Sequence, residues 1–221
     1  SNPSFLWEET EKYNVGFDIN LFRNRVELIF DAYLEKTDNL MLRIPLPSYM
    51  GTTGEGSVQA PWENIGGLEN RGIGVNLTTV NFERPVMWRS TVTLSIDRNK
   101  LTKLYTDASI IDRTPWFMDG FIARSVIGEP VWQFYGYQAD GLFRSIEEIE
   151  AHPTQTSTGR IDENTGSWVG DVRFVNQNDD DEIDERDRTF IGNPWPKFSF
   201  GMNNTLRYKN WDLDIFLQGV Y

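Results

Sequence analysis

The sequence has no cysteine and only one histidine, His152. Disulfide bonds are therefore excluded, and a single imidazole argues against a His-rich metal site or a histidine-paired nucleophile. No run of about 18 apolar residues is present, so no transmembrane helix is expected. Basic residues are scarce as well: 21 Lys and Arg stand against 33 Asp and Glu, a net charge of -12. This balance argues against nucleic acid as a partner, because phosphates require a basic face.

Aromatic residues are abundant, at 14% of the 221 residues. The length suffices for one large all-β unit or two small domains with a sizeable core. The chain begins Ser-Asn-Pro-Ser, which does not have the pattern expected of a signal peptide. The final residues, 216–221, stop within a run of alternating apolar residues. We therefore expect a fragment of a longer protein.

Six segments alternate apolar and polar residues with a period of two, which predicts β-strands. In the first, apolar residues recur from Tyr13 to Leu21, and residues 22–25 then form a tight turn into the next strand. Long stretches rich in Pro and Gly separate the hairpins. The predicted strands lie near 12–22, 25–36, 70–82, 87–98, 198–208 and 211–221, with long loops at 37–69 and 99–197. Within the second loop we expect a short strand at 131–137 and a short acidic helix at 146–151.

The strands are about ten residues long, and the long loops all fall at one end of the sheet. Such strands, with one apolar and one charged face, are typical of transmembrane β-barrels, in which aromatic residues mark the membrane interfaces. The predicted fold is therefore an all-β, antiparallel transmembrane β-barrel segment of about six long strands within a larger barrel. The alternative is a soluble β-sandwich, because alternation alone does not separate the two. The predicted interface aromatics are Tyr13, Trp88, Tyr208 and Trp211.

The charged face carries five aspartates and two arginines that we expect to line the inside of the barrel. Pairing between them, or with a separate plug domain, would neutralise the charges. The residues are Asp18, Asp31, Asp97, Asp212, Asp214, Arg89 and Arg207.

Residues 176–187 read N-Q-N-D-D-D-E-I-D-E-R-D and match the spacing of an EF-hand-type calcium loop. Asp181 replaces the usual glycine at position 6, and Asp187 replaces the longer Glu at position 12. Ile183 would hold the loop against apolar surface. The alternative is an acidic surface loop built of Asx turns. The predicted calcium ligands are Asn176, Asn178, Asp180, Glu182 (through its carbonyl), Asp184 and Asp187.

Several short segments, in this order, resemble the C-terminal part of SusC-like TonB-dependent outer-membrane transporters of Bacteroidetes-type bacteria. The last long segment resembles the family pattern G-D…D-x-N-G-D-G-x-I-D…D-R…I-G, although Asp179 and Asp181 replace its two glycines. The segments are 2–8 (N-P-S-F-L-W-E), 14–18 (N-V-G-F-D), 31–37 (D-A-Y-L-E-K-T), 64–66 (N-I-G), 69–72 (E-N-R-G), 135–137 (Y-G-Y), 140–143 (D-G-L-F), 170–192 and 196–198 (P-K-F).

The resemblance implies a barrel of about 22 strands around an N-terminal plug. It also implies outer-membrane uptake of oligosaccharides, or sometimes peptides, with energy from TonB and a SusD-like lipoprotein as a lid over the extracellular loops. The plug and the TonB-binding part are absent from this chain. The alternative function is a secreted, calcium-stabilised β-sandwich module that binds glycan.

Six aromatic residues lie in or beside the long loops and would offer flat faces to a sugar substrate. Alternatively, they pack the loops together or face the lid protein. Carboxylate pairs such as Glu147 and Glu148 do not establish the separation that a glycosidase needs. We therefore assign no catalytic residue and expect no enzyme activity. The loop aromatics are Trp62, Trp116, Phe117, Trp132, Trp168 and Trp195.

Overall fold

A computed structural model of the chain describes residues 6–43, 62–104, 110–113, 122–159 and 161–221. These residues form β-strands and one short helix, and every pair of strands whose register is defined runs antiparallel. In these ranges no helix has both the length and the apolar character needed to cross a membrane. The elements are β1 (Glu9–Leu21), β2 (Val26–Arg43), β3 (Trp62–Phe82), β4 (Met87–Lys103), β5 (Ile110–Arg113), β6 (Ala123–Val126), β7 (Gln133–Tyr137), β8 (Ala139–Leu142), α1 (Ile146–Glu150), β9 (Val172–Phe174), β10 (Arg188–Gly192), β11 (Ser199–Tyr208) and β12 (Trp211–Val220).

The chain divides into two compact units. The first, called the sheet unit, comprises Ser1–Ile110, Val126–Val131 and Trp195–Tyr221. The second, called the inserted unit, comprises Ile111–Ser125 and Trp132–Pro194.

The sheet unit contains a six-stranded sheet in the order β1-β2-β3-β4-β11-β12. Antiparallel pairing continues across all six strands. One row runs from Phe17 through Phe30, Val75 and Leu94 to Phe200. Because successive side chains on a strand point to opposite faces, this register gathers the apolar positions of all six strands on one face. The predicted all-β antiparallel fold is confirmed.

Two of the predicted loop segments are strand instead. Residues 37–43 continue β2, and residues 62–69 begin β3. The ladder shifts register between Thr37 and Leu40 and again between Leu40 and Met41, and Asn39 has a φ of 59°. These irregularities break the alternation without ending the pairing. The prediction of a loop throughout 37–69 was therefore wrong at both of its ends, while residues 44–61 lie outside the described residues.

Gly66 and Gly67 lie within β3, in the part that was predicted to be loop. A Cβ on Gly66 would lie 2.8 Å from a methyl carbon of Leu42, and one on Gly67 would lie 2.7 Å from the Thr102 hydroxyl. The glycines therefore allow side chains from neighbouring strands to cross β3 closely, which is a different role from making a turn.

The core of the sheet unit lies at the end of β4, beyond the point where β11 stops. Segment Val126–Val131 continues the pairing there: the Leu101 N–H donates to the Glu129 carbonyl at 3.0 Å, and the Gly128 N–H donates to the Leu101 carbonyl at 2.8 Å. Leu101, in this part of β4, and Leu104, just after the strand, are buried. This segment covers the part of the β4 edge that β11 leaves open.

The inserted unit fills most of the predicted loop at 99–197. The short strand expected at 131–137 and the short helix expected at 146–151 are confirmed as β7 and α1, and the unit holds further strands that were not predicted. It contributes to a four-stranded sheet in the order β10-β7-β6-β5 and holds a two-stranded sheet of β8 and β9. Helix α1 begins at Ser145, whose side chain accepts a hydrogen bond from the Glu148 N–H. Phe143 is almost fully buried, and Ile149 and Ile183 are buried as well. The other short strands, of three to five residues, carry too little alternation to be predicted from the sequence.

Candidate functional site: a two-faced sheet and an acidic loop

The apolar face of the six-stranded sheet is exposed. Phe17 is 46% exposed, and Leu213 and Leu217 on β12 are each 55% exposed. The rings of Phe17 and Phe30 stack across the strands at a centroid distance of 5.0 Å. A large apolar surface of this kind is costly in water and favourable against lipid. The face therefore has the character of a membrane-facing barrel wall.

One end of the apolar face carries a polar network around Asn204. The Asn204 carboxamide oxygen accepts from the Trp88 indole N–H at 3.0 Å and from the Ser90 hydroxyl at 2.6 Å. The Trp88 ring also packs against Phe82 at 5.9 Å. An indole with an apolar body and a satisfied N–H suits a membrane interface.

The other predicted interface aromatics lie at both ends of the strands. Tyr208 and Trp211 pair across the turn between β11 and β12, and Tyr13 lies in β1 opposite Leu34. All three side chains are exposed. Their role at the membrane interface stays a prediction.

The opposite face of the sheet is polar, and its side chains pair between strands. Thr10 and Thr37 are joined at 3.0 Å, and Lys12 lies 3.7 Å from Glu35. Arg207 and Asp212, two residues predicted on this face, form an ion pair at 2.9 Å. A polar wall of this kind is expected where the sheet encloses water.

Asp97 on the polar face has hydroxyl partners instead of an arginine. The Tyr33 hydroxyl donates to one carboxylate oxygen at 2.6 Å, and the Ser95 hydroxyl donates to the other at 2.6 Å. Tyr33 lies on β2 and Asp97 on β4, so the bond crosses β3 at Gly72. A Cβ on Gly72 would lie 2.5 Å from both Tyr33 and Asp97. The sequence analysis missed this cluster, although a glycine inside a strand was its signal.

The acidic loop, residues 176–187, lies in the inserted unit between β9 and β10. Ile183 is buried, and its N–H donates to the Thr154 carbonyl at 2.8 Å. The Thr154 N–H in turn donates to the Asp181 carbonyl at 3.0 Å. The loop is therefore held against the segment that follows α1.

Side-chain oxygens of the loop accept its own backbone N–H groups. Asn176 accepts from the Asn178 N–H at 3.3 Å, Asn178 from the Asp180 N–H at 3.2 Å, and Asp180 from the Glu182 N–H at 3.0 Å. These are successive Asx turns. Of the two positions where the family pattern has glycine, Asp179 has a φ of 58° and Asp181 is outside the left-handed region.

The fully buried Asp187 carboxylate ends the loop. Its two oxygens accept from the Gln177 N–H and the Asp184 N–H, each at 2.8 Å. The second bond is half of a capping box that starts the single 3-10 turn at 185–187.

Arg186 carries the positive charge of the loop. Its Nη2 lies 2.8 Å from Asp180 and 2.9 Å from Asp184, and its Nε donates to Asp184 at 2.9 Å. The hydrogen bond from Arg186 lowers the pKa of Asp184, and the same bond raises the pKa of Arg186. Among the described residues, no group of three or more His, Asp or Glu side chains is placed to hold a metal ion. Calcium in this loop stays a prediction.

The loop aromatics are distributed over separate elements. Trp62 begins β3, Trp132 precedes β7 with a φ of 63°, and Trp168 precedes β9. Trp195 follows β10, and its indole N–H donates to the Val131 carbonyl at 2.9 Å. All four side chains are partly exposed, whereas Trp116 and Phe117 lie outside the described residues. Their contact with a substrate or a lid protein stays a prediction.

The chain is similar in sequence to several TonB-dependent receptors. No family model matches the chain. The chain is 34% identical over 224 residues to the TonB-dependent receptor P3 of Formosa agariphila, and 31% identical over 225 residues to the TonB-dependent receptor P26 of that organism. It is 24% identical over 230 residues to the TonB-dependent receptor SusC of Bacteroides thetaiotaomicron. These alignments cover 99%, 100% and 98% of the chain, respectively.

Solved structures agree on the fold. The chain superposes on the RagAB peptide transporter with a TM-score of 0.70 at 19% identity, covering 98% of this chain and 21% of that chain. The RagAB peptide importer in its closed-closed state gives a TM-score of 0.69 at 18% identity and covers 99% of this chain and 22% of that chain.

The chain is therefore a segment of an outer-membrane β-barrel. It belongs to the SusC-like TonB-dependent receptors, as its motifs predicted. It spans about a fifth of the length of the curated relatives it matches, 21% of both P3 and P26.

Proposed function

We propose that this chain forms part of the wall of an outer-membrane transporter that imports a nutrient with energy supplied through TonB. The observation that carries the proposal is the two-faced sheet, with exposed Phe17, Leu213 and Leu217 on one face and cross-strand polar pairs on the other. The names of the curated relatives support it. The apolar face contacts lipid, and the polar face lines the path of the substrate.

Strands β2 and β3 are longer than a strand needs to be to cross a membrane. A tilted strand of about 9–11 residues crosses a bilayer, whereas β2 has 18 residues and β3 has 21. These two strands extend beyond the membrane at the Arg43 and Trp62 end. The longer extensions of such barrels are extracellular. We therefore place this end of β2 and β3 outside the cell.

The substrate is an oligosaccharide or a peptide, and the partner on the extracellular side is a SusD-like lipoprotein. The peptide-transporter title of RagAB supports the peptide class, and the oligosaccharide class and the lipoprotein partner rest on the family to which the chain belongs. The partly exposed Trp132 and Trp168 of the inserted unit provide flat apolar surface for either ligand. The protein works by binding and translocation, with no bond chemistry of its own.

The alternative, a secreted β-sandwich that binds glycan, is not favoured. A sandwich buries one face of each sheet against the other sheet. In the part of the chain that the structure describes, the apolar side chains of β1 and β12 are exposed along both strands.

A pair of variants in the complete receptor tests which face of β12 meets lipid. Leu217→Arg places a charge on the apolar face, and Gln218→Arg places the same charge on the polar face of the neighbouring residue. We expect Leu217→Arg to lower the free energy of unfolding by about 2–4 kcal/mol if it lies near the bilayer midplane, and Gln218→Arg to have a much smaller effect. Urea unfolding in phospholipid vesicles, followed by tryptophan fluorescence, measures both. Equal effects would contradict a lipid-facing apolar face.

Uptake tests the transport function. Cells that produce the complete receptor should accumulate a labelled oligosaccharide or peptide, and accumulation should be lost when either the receptor or TonB is deleted. Screening defined glycans and peptides separately identifies the substrate class. Unchanged uptake of every bound ligand without TonB would reject the proposal.

A further inference from the structure

The acidic loop matches a calcium loop in spacing, but the side-chain oxygens at the ligand positions already bond to Arg186 or to backbone N–H groups. We propose that the guanidinium of Arg186 is the resident cation of the loop and that the loop folds without calcium. This inference goes beyond the proposed transport function and does not depend on it.

The first support is the position of Arg186. In a calcium loop, residues 5 and 9 both direct oxygens at the metal. Here those residues are Asp180 and Asp184, and the Nη2 of Arg186 lies 2.8 Å from the first and 2.9 Å from the second. The Nε of Arg186 adds a second contact to Asp184 at 2.9 Å. A planar guanidinium suits this task because its donors reach two carboxylates at once.

The second support is Asp187, the twelfth residue of the loop. A calcium loop needs a bidentate carboxylate at that position. Both Asp187 oxygens instead accept backbone N–H groups at 2.8 Å, from Gln177 and Asp184. The side chain is fully buried, so turning it toward a metal would leave two backbone donors without their acceptor.

The third support is the first part of the loop. The carboxamide oxygens of Asn176 and Asn178 each accept an N–H group two residues further along, at 3.3 Å and 3.2 Å. The Nδ2 of Asn178 donates to Asp180 at 2.8 Å. The remaining acidic residues do not require a metal to neutralise them, because they are exposed to water: Asp179, Asp181, Glu182 and Glu185.

A protease that cleaves after Glu reports directly on the loop, because Glu182 lies inside it and the Glu182–Ile183 bond is unchanged by substitution of Arg186. A glutamyl endopeptidase of the serine class also remains active in the presence of a chelator. The purified complete receptor in detergent is digested in excess Ca²⁺ and in excess EGTA, and cleavage after Glu182 is quantified by mass spectrometry. We expect equal cleavage rates for the wild-type receptor in the two conditions.

Arg186→Gln should increase cleavage in the loop by about three- to fivefold, the effect expected of a small exposed ion-pair network. Arg207→Gln is the matched control. It removes the same charge from another ion pair, and its side chain is 61% exposed against 63% for Arg186. We expect it to leave cleavage of the loop unchanged.

Two results would overturn the inference. One is wild-type cleavage that rises severalfold in EGTA, since that shows a calcium-dependent loop. The other is an Arg186→Gln receptor whose loop is as resistant as the wild-type loop, since that shows a loop that does not depend on this cation. Both readouts are independent of transport.

Discussion

The sheet unit and the inserted unit are stabilised in different ways. The sheet unit has long ladders of backbone hydrogen bonds and an exposed apolar face, and among its described residues the buried apolar side chains are Leu101 and Leu104. The inserted unit has short strands, a buried core around Phe143, and many side chains bonded to backbone groups. The exposed apolar face of the sheet is of the kind that favours lipid, whereas the buried core of the inserted unit is of the kind found in domains surrounded by water.

Phe143→Ala should destabilise the core of the inserted unit and leave the sheet unit intact. Phe143 is 2% exposed, and its ring meets the His152 ring edge-on at 5.2 Å. A buried Phe replaced by Ala typically costs about 3–5 kcal/mol. We expect faster hydrogen exchange throughout α1 and β9, with exchange in β1 to β4 unchanged. Phe134→Ala, at an exposed position in the same unit, is the control and should have a far smaller effect. Equal exchange in the two variants would show that Phe143 is not central to the unit.

Gly72→Ala tests whether the close contact of Tyr33 and Asp97 over β3 stabilises the sheet unit. The added Cβ would meet Tyr33 and Asp97 at 2.5 Å and displace the hydrogen bond between them. Forcing an atom into such a contact costs about 1–3 kcal/mol.

Gly74→Ala is a matched control for Gly72→Ala, because it lies on the same strand and face and its Cβ would meet nothing within 4 Å. The urea midpoint of the complete receptor should fall for Gly72→Ala and hold for Gly74→Ala. If both variants unfold at the wild-type midpoint, the crossing of Tyr33 over β3 contributes nothing to stability.

The smallest expected effect is the pH response of the acidic loop. Arg186 lowers the pKa of Asp184 below its ordinary value of 3.8, so the contact stabilises the loop above that pH. The stabilisation is lost as the pH falls through the lowered pKa. The Arg186 N–H, which donates to Asp184 at 2.8 Å, should keep its protection from hydrogen exchange from neutral pH to about pH 4.

Asp184→Asn removes the charge on the acceptor and should weaken this protection already at neutral pH. The exchange rates must be corrected for the intrinsic dependence on pH. Protection of the Arg186 N–H that declines near pH 6 would point to a different titrating group.

The sequence predicted the hairpins well because their alternation is regular. Tyr13 to Leu21 and the strand after it are opposed residue by residue, and their turn falls where polar residues interrupt the pattern. The predicted end of β2 was wrong, because a bulge at Asp38 and Asn39 disturbs the alternation while the strand continues to Arg43. Periodicity reports which face a side chain takes, and it does not report whether the backbone remains paired.

In the acidic loop, too, the sequence pattern predicts part of the structure and leaves the hydrogen-bond partners of single residues undetermined. Asp180 and Asp184, two of the predicted calcium ligands, both contact the guanidinium of Arg186. The spacing did not reveal Arg186 as their partner, because a template of oxygen positions has no place for a donor at position 11. Asp187 was assigned to a metal, whereas its oxygens accept backbone N–H groups. Which donor satisfies a carboxylate depends on the folded backbone.

The hydrogen bond from Tyr33 to Asp97 has a mechanical consequence. It links the first and third of three adjacent strands, so it resists sliding in a way that pairing between nearest neighbours does not. If β3 slipped by one residue, Gly72 would move away and a larger side chain would enter the space beneath the ring. The bond and the glycine together therefore fix the pairing register of β2, β3 and β4.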